Sequence, residues 1–406
     1  MSVSELRAQF PILSCSVYGK PLVYLDNAAS AQRPLAVTRL YERLSLEENA
    51  NIHRAVHHLA GLATDAYEGA REAVRAFLNA ASREEIVFTS GATAAINLIA
   101  FSFGEAFVSE GDEVLVTVEE HHSNIVPWQM LCERKKAVLK VLDIRENGTL
   151  AVDELEKRVS ERTKIVAISH ISNVLGLVNP VSEIIRICHK KGVPVLVDGA
   201  QGIVHQDVDV QEMDCDFYVF SGHKLYAATG TGVLYGKKKW LDAMPPYMGG
   251  GEMIASVSFN GTTYAPLPGK FEAGTQNFNA IPTLVPAIRL VQEMRSDASV
   301  QDEQQSVLDF VYAKLSEDER IILFGTDVSC KIPLFSFAVK GAHHEDLALI
   351  LDKMGIALRS GQMCAEPLMD RLGVTGLLRA SFAPYNTLEE AEYFIKSLNK
   401  AINMLV

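Results

Sequence analysis

The chain has 406 residues, 48% hydrophobic and 22% charged, with 27 glycines and 15 prolines. That is the make-up of a folded globular protein and excludes collagen, coiled coil and extended disorder. Asp and Glu number 50 against 38 Lys and Arg, a formal charge of -12 that matches neither nucleic acid nor an anionic bilayer. The six cysteines stand at 15, 132, 188, 215, 330 and 364. With no C-x-x-C pair there is no zinc-ligand spacing and no dense disulfide framework, which points to a reducing compartment.

The opening MSVSELRAQFPIL has no basic segment followed by an apolar one, so it does not read as a signal peptide. The most apolar stretch, 94–108, is interrupted by Asn97, Ser102 and Glu105 and is shorter than the ~20 residues a spanning helix needs. A cytoplasmic protein is expected. Short apolar runs predict strands over 85–89, 113–118, 138–144, 165–169, 195–198, 217–220 and 231–235. Most are too apolar to alternate, as strands buried on both faces are. Helical patterns fall between several of them, over 93–108, 126–136, 153–160 and 182–191. Ser182 reads as an N-cap of the last, and Gly192-Val193-Pro194 as its end. Such alternation implies an α/β fold with a mainly parallel, seven-stranded sheet covered by helices. The Gly- and Pro-rich stretch 245–274 reads as a long loop forming a lid, an interface or a site wall. Beyond about 290, helices over 301–315, 344–354 and 387–406 flank strands over 321–324, 334–339, 356–359 and 377–382. This is a smaller C-terminal α+β unit. The division expected is a large domain over 21–290 and a small one built from 1–20 and 291–406.

Two common phosphate cradles are missing. Gly230 and Gly232 are followed by Tyr235 where G-x-G-x-x-G needs its third glycine, and Gly236-Lys237 lacks the rest of a P-loop. Ligands in open α/β sheets bind beyond the carboxyl ends of strands, and five predicted strands end in polar clusters. These are Ser90-Gly91-Ala92-Thr93, His121-His122-Ser123-Asn124, His170-Ile171-Ser172-Asn173, Asp198-Gly199-Ala200-Gln201 and Ser221-Gly222-His223-Lys224. Singly, each has a plain structural explanation: a helix cap at Thr93 or Asp198, a satisfied imidazole at His121, a solvated ammonium at Lys224. Five at one sheet edge are hard to explain by packing. A lysine beside a phosphate seat suits covalent attachment of pyridoxal phosphate. An acid at a strand end would keep the pyridine nitrogen protonated, and an imidazole would stack on the ring.

On the motifs LDNAASAQRP (25–34), NIHRAVHHLA (51–60), HHSNIVPWQ (121–129), VDGAQ (197–201), DFYVFSGHKLY (216–226), FEAGTQN (271–277), RSGQMCAEPLM (359–369) and LLRASFAPYN (377–386), the chain resembles the fold-type I pyridoxal phosphate enzymes of the class V aminotransferase family. Within them it resembles the SufS-like cysteine desulfurases, nearest their CsdA branch. The resemblance runs over essentially the whole chain. It implies that Lys224 carries the cofactor and moves the Cα proton. Asp198 pairs with the pyridine nitrogen, Gln201 with the ring oxygen, and His121 stacks on the ring and assists acid–base steps. Ala92, Thr93, Ser221 and His223 hold the phosphate. Thr275 reaches the phosphate of a second subunit, with His53 and Arg54 near that partner's site, so a homodimer is implied.

Arg379, inside an apolar strand, needs an anion. An internal ion pair would serve, and so would a substrate carboxylate. The resemblance favours the carboxylate, with Asn173 and Arg359 helping. Cys364 sits in a polar turn, whereas Cys132, Cys188 and Cys215 fall in core patterns. By resemblance Cys364 takes sulfur from L-cysteine as a persulfide, leaves L-alanine, and passes the sulfur to a SufE- or SufU-type acceptor for iron–sulfur cluster assembly. The chain departs from the family pattern at Ala92, Ala94, Ala227-Ala228, Gln276 and Met363. Selenocysteine lyase activity at the same site, and a non-catalytic pyridoxal-fold partner protein, remain open at this point. No metal site and no nucleic-acid or membrane partner is expected.

Overall fold

The computed structural model describes residues 2–406. All seven strands expected in the first two-thirds form one sheet. Its spatial order is Ile86–Thr89, Gly232–Gly236, Phe217–Ser221, Val195–Asp198, Thr163–Ser169, Glu113–Thr117, Val138–Leu142. Only Gly232–Gly236 runs antiparallel to its neighbours. The central strands are buried along their whole length, which explains runs of Val, Ile and Phe without alternation. Helices Ala92–Phe107 and Val126–Lys135 follow strands as predicted.

The antiparallel strand enters the sheet at Gly232, opposite Thr89 on one side and Ser221 on the other. A Cβ there would lie 2.3 Å from the Gly91 Cα, so only glycine lets the two backbones meet. This contact fixes the turn from Ile86–Thr89 into Ala92–Phe107. The outer side of that strand is held by a buried ion pair. Arg71 donates to both Glu272 oxygens (2.7 and 2.9 Å) and to the Ile86 carbonyl, while Glu272 accepts from the Phe88 N–H (2.7 Å). Each charge is matched and hydrogen-bonded, the condition under which a buried pair is tolerated.

A second sheet, Ile321–Phe324, Leu334–Val339, Leu377–Ser381 and Arg359–Gly361, is antiparallel throughout. Helices Ala298–Glu317, His344–Lys353 and Leu388–Leu405 pack with it around Phe335, Phe337 and Phe394. Three expectations are corrected. The strand expected over 356–359 divides at Leu358. Ile356–Ala357 pairs in parallel with Val23–Tyr24, while Arg359–Gly361 joins the second sheet. The helix expected to be capped by Ser182 starts at Val181 after Pro180, and Ser182 faces solvent; proline's fixed φ already presets the first turn. The 245–274 stretch contains a hairpin, Ile254–Ser258 with Gly261–Tyr264, closed by the two-residue loop Phe259-Asn260 and masked in the sequence by the surrounding prolines and glycines. The helices Leu35–Glu47, His58–Phe77 and Leu284–Ser296 have no counterpart among the predicted elements.

Candidate active site

The parallel strands end at one edge of the large sheet, and the turns beyond those ends wall a cavity of about 530 Å³. Ala92 and Thr93 stand on one side of it, at the helix start after Ile86–Thr89. The Ala92 N–H donates to Ser221 Oγ (2.8 Å), which ties the ends of two strands together. The free N–H groups of that helix start, with its dipole, form an anion seat. His223 lies beside it, with Nδ1 3.3 Å from Ser30 Oγ. Burial, and then the neighbouring Lys224, push the His223 imidazolium down to about 4.

Lys224 lines the same cavity, and its Nζ makes no hydrogen bond among the described residues. Burial pushes its ammonium down to about 8; Asp198 and Cys364 oppose the shift and Arg379 adds to it. Asp198, at the end of its strand, is buried and accepts from the Ala200 N–H (2.9 Å). Burial holds its carboxyl above the usual range, against that hydrogen bond and Lys224. Gln201 donates to the Ala28 carbonyl (2.8 Å). His121 accepts at Nδ1 from the Ser123 N–H (3.1 Å), which leaves the ring proton on Nε2. Burial, with Lys224, His122 and Arg379 adding, lowers it to about 4, so the ring is neutral at pH 7.

The opposite wall comes from the C-terminal part of the chain. Arg379 is buried on Leu377–Ser381. Its Nη1 donates to the Asn173 carbonyl (2.8 Å) and its Nη2 reaches Asp26 Oδ1 (3.3 Å), but its Nε is buried with no partner. Arg359, exposed at the mouth, forks onto Asp26 through Nη2 (2.8 Å) and Nε (3.3 Å). Cys364 is exposed on the turn between Arg359–Gly361 and helix Glu366–Leu372. Three hydrogen bonds dock this turn: His122 N–H to the Cys364 carbonyl (2.7 Å), Asn173 Nδ2 to the Met363 carbonyl (2.9 Å), and Glu366 N–H to His122 Nε2 (3.0 Å).

The structure therefore brings together every sequence-predicted site residue except Thr275, His53 and Arg54. Thr275 lines a neighbouring cavity of about 220 Å³ with Ser90 and Ala94. His53 pairs with Glu68 (3.1 Å), and Arg54 with Glu252 (2.6 Å). Sequence reasoning misses Asp26, which sits in the LDNAA motif but carries no spacing that would mark it. It also misses the buried acids Glu119 and Glu120. Glu120 accepts from Thr117, Asn124 and Ser169, whereas Glu119 accepts from Asn179 through one oxygen and leaves Oε2 unpartnered. Burial pushes both carboxyls well up. In the sequence the pair stands next to His121, and two adjacent acids there carry no local sign of being buried.

A lysine, an acid, an anion seat and an arginine around one cavity define a pyridoxal-phosphate-type site on an α/β sheet. Residues 23–394 match the aminotransferase class-V family, and the chain belongs to it. Within that family it belongs with the cysteine desulfurases. It is 45% identical over 405 residues to a probable cysteine desulfurase of Vibrio cholerae, covering all of both chains. It is 46% identical to a cysteine desulfurase of an Enterobacter species, covering 99% of each. Among solved structures, it superposes on the Escherichia coli cysteine desulfurase CsdA with a TM-score of 0.90, at 38% identity and full coverage of both chains. A cysteine desulfurase of Thermococcus onnurineus superposes with a TM-score of 0.92 at 34% identity, over 99% of this chain and 98% of that one.

The family depends on pyridoxal phosphate, and the residues present fit it. An unpaired lysine amine with a depressed pKa suits attachment to an aldehyde, the helix start beside Ser221 suits a phosphate, and the orphaned Arg379 Nε suits the carboxylate of an amino acid.

Proposed function

We propose that this chain is a pyridoxal phosphate-dependent cysteine desulfurase in which Lys224, Asp198, His121, Arg379 and Cys364 carry the reaction. The supporting observation is that a lysine with a lowered pKa, an arginine with a buried free donor and an accessible thiol share one cavity. The bound cofactor supplies an electron sink that makes the substrate C–S bond labile. Asp198 supports it by holding the ring nitrogen protonated, Gln201 by donating toward the ring oxygen, and Ala92, Thr93, Ser221 and His223 by binding the phosphate. Arg379, steadied by the Asn173 carbonyl, orients the substrate through its carboxylate, and Arg359 adds positive potential at the mouth. Lys224 moves the proton at Cα. Neutral His121 packs over the ring and assists the proton steps. Cys364 sulfur attacks the substrate sulfur: L-cysteine plus the Cys364 thiol give L-alanine plus a Cys364 persulfide.

No helix among the described residues is long and apolar enough to cross a membrane, and a cytoplasmic enzyme is in keeping with that. The exposed thiol fits onward transfer to a SufE- or SufU-type acceptor for iron–sulfur cluster assembly. Thr275, His53 and Arg54 lie outside the cavity of their own chain, in keeping with a homodimer in which they serve the partner's site. The two sheets support a large domain over 21–290 and a small one from 1–20 and 291–406.

The test is alanine formation from L-cysteine. The wild-type chain should form it, Lys224→Ala should not, and Cys364→Ser should lose at least 100-fold while still binding the cofactor. Wild-type activity no higher than that of Lys224→Ala would reject the reading.

A further inference from the structure

The two walls of the cavity belong to different sheets. His121, Asp198, Ser221 and Lys224 stand at the edge of the large sheet, whereas Arg379 and the Cys364 turn come with the second. One short stretch beyond Thr163–Ser169 ties them together. Four successive carbonyls there each accept from the second sheet or the turn leading into it: Asn173 from Arg379 Nη1 (2.8 Å), Val174 from Ser336 Oγ (2.6 Å), Leu175 from Lys331 Nζ (2.8 Å) and Gly176 from the Ile332 N–H (2.8 Å). The Asn173 side chain holds the Cys364 turn through the Met363 carbonyl. The fit is close: a Cβ on Gly176 would lie 2.8 Å from the Leu334 carbonyl oxygen, and one on Gly325 would lie 2.4 Å from that of Leu175.

Among these donors Lys331 is the unexpected one. Its ammonium is buried, makes no ion pair among the described residues, and donates to the Leu175 and Gly325 carbonyls, both at 2.8 Å. An apolar side chain would fill the same place without desolvating a charge. Only a donor joins the two carbonyls and leaves neither unsatisfied. Burial pushes the ammonium down to about 7, against Cys330, and either protonation state keeps two N–H groups for these bonds. Lys331 does not line the cavity, so its influence on the reaction passes through the 173–176 run.

Resting on the desulfurase reading, we infer that Lys331 is a positioning residue: through the 173–176 carbonyls it holds the substrate half of the site, Arg379 and the Cys364 turn, in register with the cofactor half. The cofactor half stands on the large sheet and does not depend on it.

Lys331→Met keeps the length of the side chain and loses the donors. In the cofactor-loaded variant, kcat/KM for L-cysteine and the affinity for L-alanine, which brings a carboxylate but no sulfur, should each fall about tenfold, the scale of one hydrogen bond to a charged group. L-alanine binding is read by the change in visible absorbance. Cofactor affinity, from absorbance titration of the cofactor-free protein, should stay within threefold of wild type. Lys331→Arg, which restores two donors, should bring both substrate measures back to within threefold. A fall of less than threefold in either measure for Lys331→Met overturns the inference. So does a loss of cofactor affinity beyond threefold, which marks a general loosening, and so does the absence of recovery in Lys331→Arg. If Lys331→Met does not fold, Ser336→Ala decides, because it removes the neighbouring donor from Val174. It should weaken L-alanine binding at least threefold with cofactor affinity kept, and a smaller effect overturns the inference. L-alanine and cofactor binding are measured without turnover, so an inactive wild type, which is the failure of the desulfurase reading, is told apart from failure of this one.

Discussion

Replacing Arg379 by alanine tests the substrate clamp most directly. The guanidinium is buried, and only two of its nitrogens are engaged, by the Asn173 carbonyl and by Asp26. A carboxylate that takes the free Nε and shares Nη2 with Asp26 gains two charge-assisted hydrogen bonds, each worth about 1.5–3 kcal/mol. Water entering the space left by truncation recovers part of this, so the net loss is about 3–4 kcal/mol. At about 1.4 kcal/mol per tenfold, kcat/KM for L-cysteine should fall by about 10²–10³. The fold should survive. Asp26 keeps Arg359 as its partner, so no charge is stranded, and the Asn173 carbonyl alone loses a donor, at about 1–3 kcal/mol. Arg379→Lys restores a charge but not a fork and should recover no more than tenfold. Steady-state alanine formation against L-cysteine concentration measures the effect, with cofactor content checked by visible absorbance. A kcat/KM within threefold of wild type, in a fully loaded variant, would refute the clamp.

Cofactor attachment requires the neutral Lys224 amine, and burial lowers its ammonium from the ordinary value to about 8. At pH 7 about a tenth of the amine is then neutral, about 300-fold more than at an unshifted value. The rate of cofactor uptake by cofactor-free protein should rise with pH through a midpoint near 8; a midpoint above 9.5 contradicts the assignment. The same shift means that the unfolded chain binds more protons at this site between pH 8 and 10.5, so the Lys224 contribution to stability of the cofactor-free protein rises with pH across that window. Gly232→Ala places a Cβ 2.3 Å from the Gly91 Cα. It should cost about 2 kcal/mol or more of stability and at least tenfold in cofactor affinity, read by thermal unfolding and absorbance titration. Gly249→Ala, with open space around it, is the matched control and should change neither.

The large sheet is legible because its central strands are buried on both faces, and unbroken Val, Ile and Phe runs need no knowledge of their partners. Its polar strand ends are legible for the same reason: Asp198 and Ser221 interrupt apolar segments where packing alone gives no cause. The helix His58–Phe77 is not, although its inner face is regular. It buries Ala60, Ala63, Tyr67, Ala70, Arg71 and Val74, a stripe built largely of alanines and interrupted by a charged residue. Arg71 becomes intelligible only with Glu272, 201 positions away. Asp26 is hidden likewise, since its meaning lies in Arg359 and Arg379, both more than 300 positions distant. Residues that act through one long-range partner leave no local period to read.

The cysteine turn shows how these distant contacts serve the proposed chemistry. Met363 and Cys364 both adopt left-handed backbone conformations, φ +55° and +54°, at about 1 kcal/mol or more each for residues with a Cβ. The cost is met by the hydrogen bonds that Asn173 and His122 make to their two carbonyls. The conformation turns the Met363 side chain inward and leaves Cys364 outside. A sulfur carrier has to meet substrate on one side and an acceptor on the other. A buried thiol would do the first only, and one on a free loop would lose its aim. Because His122 directly follows His121, the segment that holds the thiol is the one that carries the imidazole over the proposed cofactor ring. Position of the nucleophile and position of the ring stack are thus set by one stretch of backbone.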